Sequence, residues 1–264
     1  MSESPGSAVD TFLVSGSRAD DMAYLALADL AEVLSGAAGA GVIGGHMVAA
    51  LCARFPSPGF IHRSTGDADG GIPTALASTG ETHERLVELG YSPTNGNRYE
   101  RPNGESENEA LAIDLLVPTV ASRFGVDTHG GRQFDTMPGL GLAMAHSLRL
   151  SISATLTDGT ERMFEIDVPG VEGAIILKTY AWAGRRAKKD AIDLHSLFRI
   201  TDHHAPESFG GWRLNESPPQ GSRRDTSRTL HTLADNWEAH RPDVAFDHRQ
   251  LISSIRRRVA RADH

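Results

Sequence analysis

The chain carries a single cysteine, Cys52, in 264 residues. That rules out an internal disulfide framework and a cysteine-based zinc cluster, and it suits a reducing compartment. Long apolar runs are also missing, since no stretch approaches the roughly 18 residues of a membrane span. The opening MSESPGSAVD lacks the basic start and apolar core of a signal peptide. A cytoplasmic protein with no membrane partner is therefore expected. An excess of positive charge is absent too: 26 basic side chains face 34 acidic ones, a net of -8, which argues against indiscriminate nucleic-acid binding but leaves room for a local basic groove. No fixed-period repeat occurs, and neither does a GxSxG elbow, an HExxH helix or a CxxC pair. What remains is ordinary for a globular chain, with 39% hydrophobic and 23% charged residues. At roughly 150 residues per domain, the length allows one to two domains with a substantial core.

After a polar leader, Asp20 and Asp21 stand where helix caps stand. Met22, Leu25, Leu30, Val33 and Leu34 then recur at near-helical spacing, which predicts a helix ending near Gly36. Ala40 to Ile43 reads as a short buried strand and His46 to Arg54 as a helix, so Gly44 and Gly45 form a tight strand-to-helix turn. Past a proline-rich connection, RSTGDADGG runs as a strand edge carrying Asp67 and Asp69, and Glu81 to Gly90 is a helix with a glycine stop. The segment ALAIDLLV, 110–117, predicts a buried strand with Asp114 as an acid at its end and Pro118 as its stop. Leu148 to Leu156 alternates almost without fault, and Phe164, Ile166 and Val168 alternate on the way back from Asp158 and Gly159, predicting a hairpin. Helices follow over Val171 to Trp182, carrying Lys178, and over Asp190 to Arg199 after the basic loop GRRAKK. In the tail one helix presents Leu230, Leu233 and Trp237, and another presents Leu251, Ile255 and Val259 opposite Arg257 and Arg261.

A literal GxGxxG stands at Gly39, Gly41 and Gly44, but a dinucleotide loop needs its glycines directly after a strand, and here a helix precedes them. Asp67, Asp69 and Gly70 resemble a calcium loop whose twelfth position is Ser78 instead of the required glutamate. His203 and His204 read as surface polar residues in a loop. The constellation left standing is Gly44 and Gly45, then Arg63, Thr65, Asp67 and Asp69, then Asp114. Two carboxylates one residue apart on a strand point the same way, and such a pair is electrostatically expensive without a cation between them. A third acid from a neighbouring strand would complete a site for two magnesium ions about 4 Å apart, suited to activating a hydroxyl and stabilising a leaving pyrophosphate. The Gly-Gly turn at a helix N-terminus offers unobstructed N–H groups to a triphosphate. Taken singly, the DxD pair could be a solvated turn and Asp114 an ordinary strand acid.

VIGGHMVAAL, RSTGDADGGI, AIDLLVP and IILKTYAWAGRRAKKDAIDLHSLF together resemble the AbiEii-type nucleotidyltransferases, toxins of bacterial type IV toxin-antitoxin systems that include the Men toxins and lie within the DNA polymerase β-like superfamily. The resemblance covers about Gly41 to Phe198. It implies Asp67 and Asp69 as metal ligands with Asp67 the more critical, Thr65 near the phosphates, Lys178 neutralising the triphosphate, and Asp193 holding or complementing Lys178, with Asp190 as the alternative acid. Among the nucleotide-binding positions Gly44, Gly45, His46, Arg63, Thr65 and Lys178, His46 departs from the family's Ser or Thr after the glycines. The spacing from Gly45 to Asp67 implies an insertion around Pro56 to Phe60. Asp114 stands as base, metal ligand or structural residue.

The expected fold is α+β: a nucleotidyltransferase fold with a mixed twisted β-sheet flanked by helices over 1–200, and a helical C-terminal extension over 201–264. The expected activity transfers a nucleotidyl group from a nucleoside triphosphate (NTP) to an acceptor hydroxyl, with Mg2+ or Mn2+ as cofactor. By resemblance the acceptor is a tRNA 3′ end and the partner a cognate antitoxin. Arg185, Arg186, Lys188 and Lys189, with the arginines of the terminal helix, are either a phosphate-tracking patch or a solvated face. The rival readings are transfer to a small molecule such as an aminoglycoside, and a non-catalytic binding module that retains the fold.

Overall fold

The computed structural model describes residues 9–104, 109–240 and 244–262. In chain order the strands are β1 (Val9–Val14), β2 (Gly41–Val42), β3 (Ala68–Gly71), β4 (Ser92–Asn95), β5 (Arg98–Pro102), β6 (Ala110–Thr119), β7 (Gly125–His129), β8 (Arg132–Pro138), β9 (Ser147–Thr155) and β10 (Glu161–Pro169). The helices are α1 (Arg18–Leu34), α2 (Gly44–Arg54), α3 (Thr74–Thr79), α4 (Glu81–Glu88), α5 (Leu140–Met144), α6 (Val171–Arg185), α7 (Lys188–His203), α8 (Gly221–Asp235), α9 (Trp237–His240) and α10 (His248–Arg258). The strands form two sheets, β1-β9-β10 and a seven-stranded mixed sheet whose path runs β2-β3-β6-β5-β4, with β8 on β6 and β7 on β8. The fold class is α+β, with helices flanking the sheets. No helix among the described residues is long and apolar enough to cross a membrane.

The polar leader conceals a strand. β1 runs parallel to β9, with Thr11 and Leu13 buried, but its outward residues Phe12 and Val14 are apolar and exposed, so the two-residue alternation that marks a half-buried strand is blurred. Ser17, rather than Asp20 or Asp21, caps α1 by accepting the Asp20 N–H. Asp20 braces that turn by accepting from Gly16 N and Ser17 Oγ. Asp21 reaches across to the β9–β10 turn, where Thr157 donates both its N–H and its hydroxyl.

β6 is the axis of the larger sheet. It pairs in parallel with β3, antiparallel with β5 over its first half, and in parallel with β8 from Leu116 onward. Asp114 is accordingly mid-strand and not at an end, and Pro118 does not stop the strand. Pro118 shares Leu116's side of the ladder, where β3 has already finished at Gly71, so its missing N–H leaves no partner unsatisfied. The β4–β5 and β7–β8 hairpins turn at Gly96 and at Gly130 with Gly131, all at positive φ. The dipeptides NG at 95–96 and GG at 130–131, which suit tight hairpin turns, stand at these positions, and sequence reasoning missed them.

The β9–β10 hairpin has the expected register, with Ile152 opposite Phe164. α6 runs three residues beyond Trp182, and Arg186, at φ 48, makes the sharp corner into α7. The expected basic loop therefore contracts to Arg186 and Ala187. His203 closes α7 and His204 follows as its cap, bonded to Arg199 and to the Pro56 carbonyl respectively, so the pair is helix-terminal rather than in a loop. Because α7 continues to His203, residue 200 falls inside a helix. Trp237 opens α9 after a break at Asn236 instead of completing α8, yet it is buried with Leu230 and Leu233, and Leu251, Ile255 and Val259 are buried with them. α8 and α10 pack on α6 and α7.

Candidate functional site

Asp67 and Asp69 flank Ala68 at the start of β3 and share a face, while the β3–β6 register sets Asp69 directly beside Asp114. One ligand atom from each of the three partly buried carboxylates lies within 4.8 Å of the others, and among the described residues this is the one such group able to share an ion. The acids suit a hard cation, for which carboxylate oxygens are the preferred donors. Their environment asks for one: burial first, then the Asp67 charge, pushes the Asp69 carboxyl up to about 6. Burial likewise raises Asp114, against the opposing pull of Arg98. The Arg98 guanidinium already answers part of that demand, at 2.8 Å from Asp114 and 3.6 Å from Asp67, with Glu100 at 2.8 Å. Sequence reasoning missed Arg98. Its place opposite Asp114 follows from the β5–β6 register, which only the hairpin at Gly96 sets.

The wall facing the carboxylates is the N-terminus of α2. Gly44 sits at φ 68, and a Cβ there would stand 1.7 Å from Asp69 Oδ2; at Gly45 a Cβ would meet Thr65 Oγ1 at 2.6 Å. Both glycines are thus required by the close approach of β3 and the 63–65 segment to the start of α2. These residues, with Arg63, Thr65 and Lys178, line one cavity of about 220 Å3.

Asp193 settles the choice between the two α7 acids. It accepts from Lys178 Nζ at 2.7 Å and from Arg63 Nε and Nη2 at 3.0 and 2.9 Å. Asp190 instead takes a bidentate contact from Arg185, at 2.7 and 2.6 Å. Asp193 and Lys178 are 3% and 5% exposed, so the pair is locked in the protein interior at the cavity's edge. Thr65 stands 3.4 Å from Asp67.

No family model matches the chain, and no curated protein does. Of the residues expected to touch a nucleotide, Gly44, Gly45, Arg63, Thr65 and Lys178 line the cavity with all three acids. His46 does not: it points into the core, 1% exposed, with its ring 5.9 Å from that of Tyr24. Neither of its ring nitrogens has a hydrogen-bond partner among the described residues. The cavity also takes in Phe124 and Met137, from the connection after β6 and from β8, which the sequence alone did not connect to the DxD segment.

The burial of His46 has a measurable consequence. Desolvation lowers its imidazole to about 4, with Asp67 opposing and Arg63 assisting. Above about pH 6.5 the ring is neutral in the folded and unfolded chain alike. As the pH falls from there toward 4, the unfolded chain takes up a proton that the native state refuses, and stability drops by on the order of 3 kcal/mol. Urea unfolding at pH 7 and pH 4.5 should show His46→Leu losing distinctly less stability between the two pH values than the parent chain; equal losses would refute this assignment.

Proposed function

We propose that this chain is a metal-dependent nucleotidyltransferase, using an NTP as donor and Mg2+, with Mn2+ as substitute, and releasing pyrophosphate. The observation that carries the reading is the convergence of Asp67, Asp69 and Asp114 on one cavity wall facing the Gly44–Gly45 turn. A divalent ion at these carboxylates would supply Lewis acidity at the transferring phosphoryl group and acidify the attacking hydroxyl. The chain's own groups account for the rest. The α2 N-terminus presents N–H donors and the positive end of its dipole to phosphate oxygens. Lys178, held by Asp193, places a fixed positive charge beside the triphosphate, and Arg63, gripping the same carboxylate, keeps that charge from swinging away. Charge fixed in advance in this way stabilises the developing negative charge without reorganisation.

Resemblance to the AbiEii-type toxins makes a tRNA 3′ end the proposed acceptor and a cognate antitoxin the proposed partner. Arg185 and Lys189, which line the cavity, support a polyanionic acceptor. Incubation with each labelled NTP, Mg2+ and total tRNA is the test. Label is expected on tRNA with at least one nucleotide, and it should be lost in EDTA and in Asp67→Ala. Label on an aminoglycoside but not on RNA would select the small-molecule reading, and no transfer to any acceptor would select the binding module.

A further inference from the structure

The cavity is lined by two kinds of side chain: carboxylates and cations with the two glycines, and an apolar set, Phe124, Met137, Leu116 and the α6 residues Leu177 and Ala181. On α6, Leu177, Ala181 and Gly184 fall at helical spacing on one stripe, with Lys178 and Arg185 on the adjacent stripe. Phe124 rides over this stripe: a Cβ at Gly184 would stand 3.5 Å from its ring. Phe124 is 40% exposed and lines the cavity, so part of its side chain is open to a ligand there.

We infer that this apolar part of the cavity is the nucleoside subsite, with the base of the incoming NTP stacked on Phe124. The inference rests on the nucleotidyltransferase reading and extends it from the triphosphate to the base. Its occupant follows from continuity, because a ligand whose phosphates lie against Gly44, Gly45 and Lys178 must place its uncharged remainder in the rest of the same cavity. Phe124, Met137, Leu116, Leu177 and Ala181 bear no hydrogen-bonding side chain, so they meet the base by its π-face and its size. Stacking is tolerant in this way because every base has a π-face.

The test is calorimetric titration of the full chain with Mg2+, using NTPs whose α–β bridge is an imido group and, separately, inorganic tripolyphosphate. Phe124→Ala should weaken NTP binding by roughly tenfold or more while tripolyphosphate binds within twofold of the parent. Phe124→Trp should retain or tighten NTP binding, and the two nucleotides of each ring size should bind within a few-fold of one another. In turnover, Phe124→Ala should raise KM more than it lowers kcat. Equal NTP binding by parent and Phe124→Ala would overturn the subsite and leave the nucleotidyltransferase reading in place. So would a parent that binds tripolyphosphate as tightly as NTP. A parent that binds neither ligand would overturn both.

Discussion

Asp69→Asn is expected to reduce nucleotidyl transfer by roughly a thousandfold or more and yet, in EDTA at pH 7.5, to melt higher than the parent chain. The two effects share one cause. Asp69 lies between Asp67 on its own strand face and Asp114 in the neighbouring register position, and burial together with the Asp67 charge lifts its carboxyl to about 6, against the opposing charges of Lys178 and Lys189. A carboxyl whose native value lies above its unfolded value costs stability wherever it is ionised. That cost is absent below about pH 4, grows as the pH rises through 6, and is constant above. Asparagine has the same shape without the charge, so it fits against Gly44 and relieves the repulsion. Mg2+ should reverse the order, raising the melting temperature of the parent at pH 7.5 far more than that of the variant. Thermal melts in EDTA and in Mg2+ at pH 7.5 and pH 4, run beside the transfer assay, separate the contributions. A variant that melts lower than the parent in EDTA at pH 7.5 would show that the three acids are not in mutual repulsion.

Much of this site was legible before the fold because strand geometry is strict. A two-residue period puts Asp67 and Asp69 on one face whatever surrounds them, and the glycines at 44 and 45 announce a close backbone approach. Partners fixed by long-range register were not legible. Arg98 reaches Asp114 only because β5 returns from Gly96 in one register, and a one-residue slip would turn it to the other face. Phe124 belongs to a short connection with no periodicity, and nothing local marks it as part of a cavity with α6. His46 misled for a related reason: its place after the glycines suggested contact with a phosphate, but helical rotation from Gly45 carries its side chain to the inner face of α2, beside Tyr24. β1 escaped because its exposed face is as apolar as its buried one.

The choice between Asp190 and Asp193 yields a large expected difference in stability. Asp193→Asn removes an anion that serves two cations at once, Lys178 at 2.7 Å and Arg63 at 2.9 Å. Lys178 is 5% exposed and cannot regain water without breaking the packing of α6, so the loss should be about 3–5 kcal/mol, as for a buried pair deprived of one partner. Asp190→Asn should cost clearly less, because its partner Arg185 is 50% exposed and can turn to solvent. Urea unfolding of the two variants gives the comparison, and an equal or reversed order would remove Asp193 from its central position. Stability and function can then be parted. In Lys178→Met with Asp193→Leu no charge is stranded in the interior, since Arg63, 20% exposed, can reach water. That double variant should recover most of the stability lost in Asp193→Asn, in line with the near-neutral exchange of buried ion pairs for apolar side chains. Its nucleotidyl transfer should stay as low as that of Lys178→Met alone, because the restored fold still lacks the positive charge proposed to face the triphosphate. If the double variant recovered transfer along with stability, Lys178 would be a structural residue and the phosphate-binding role would have to move to Arg185 and Lys189.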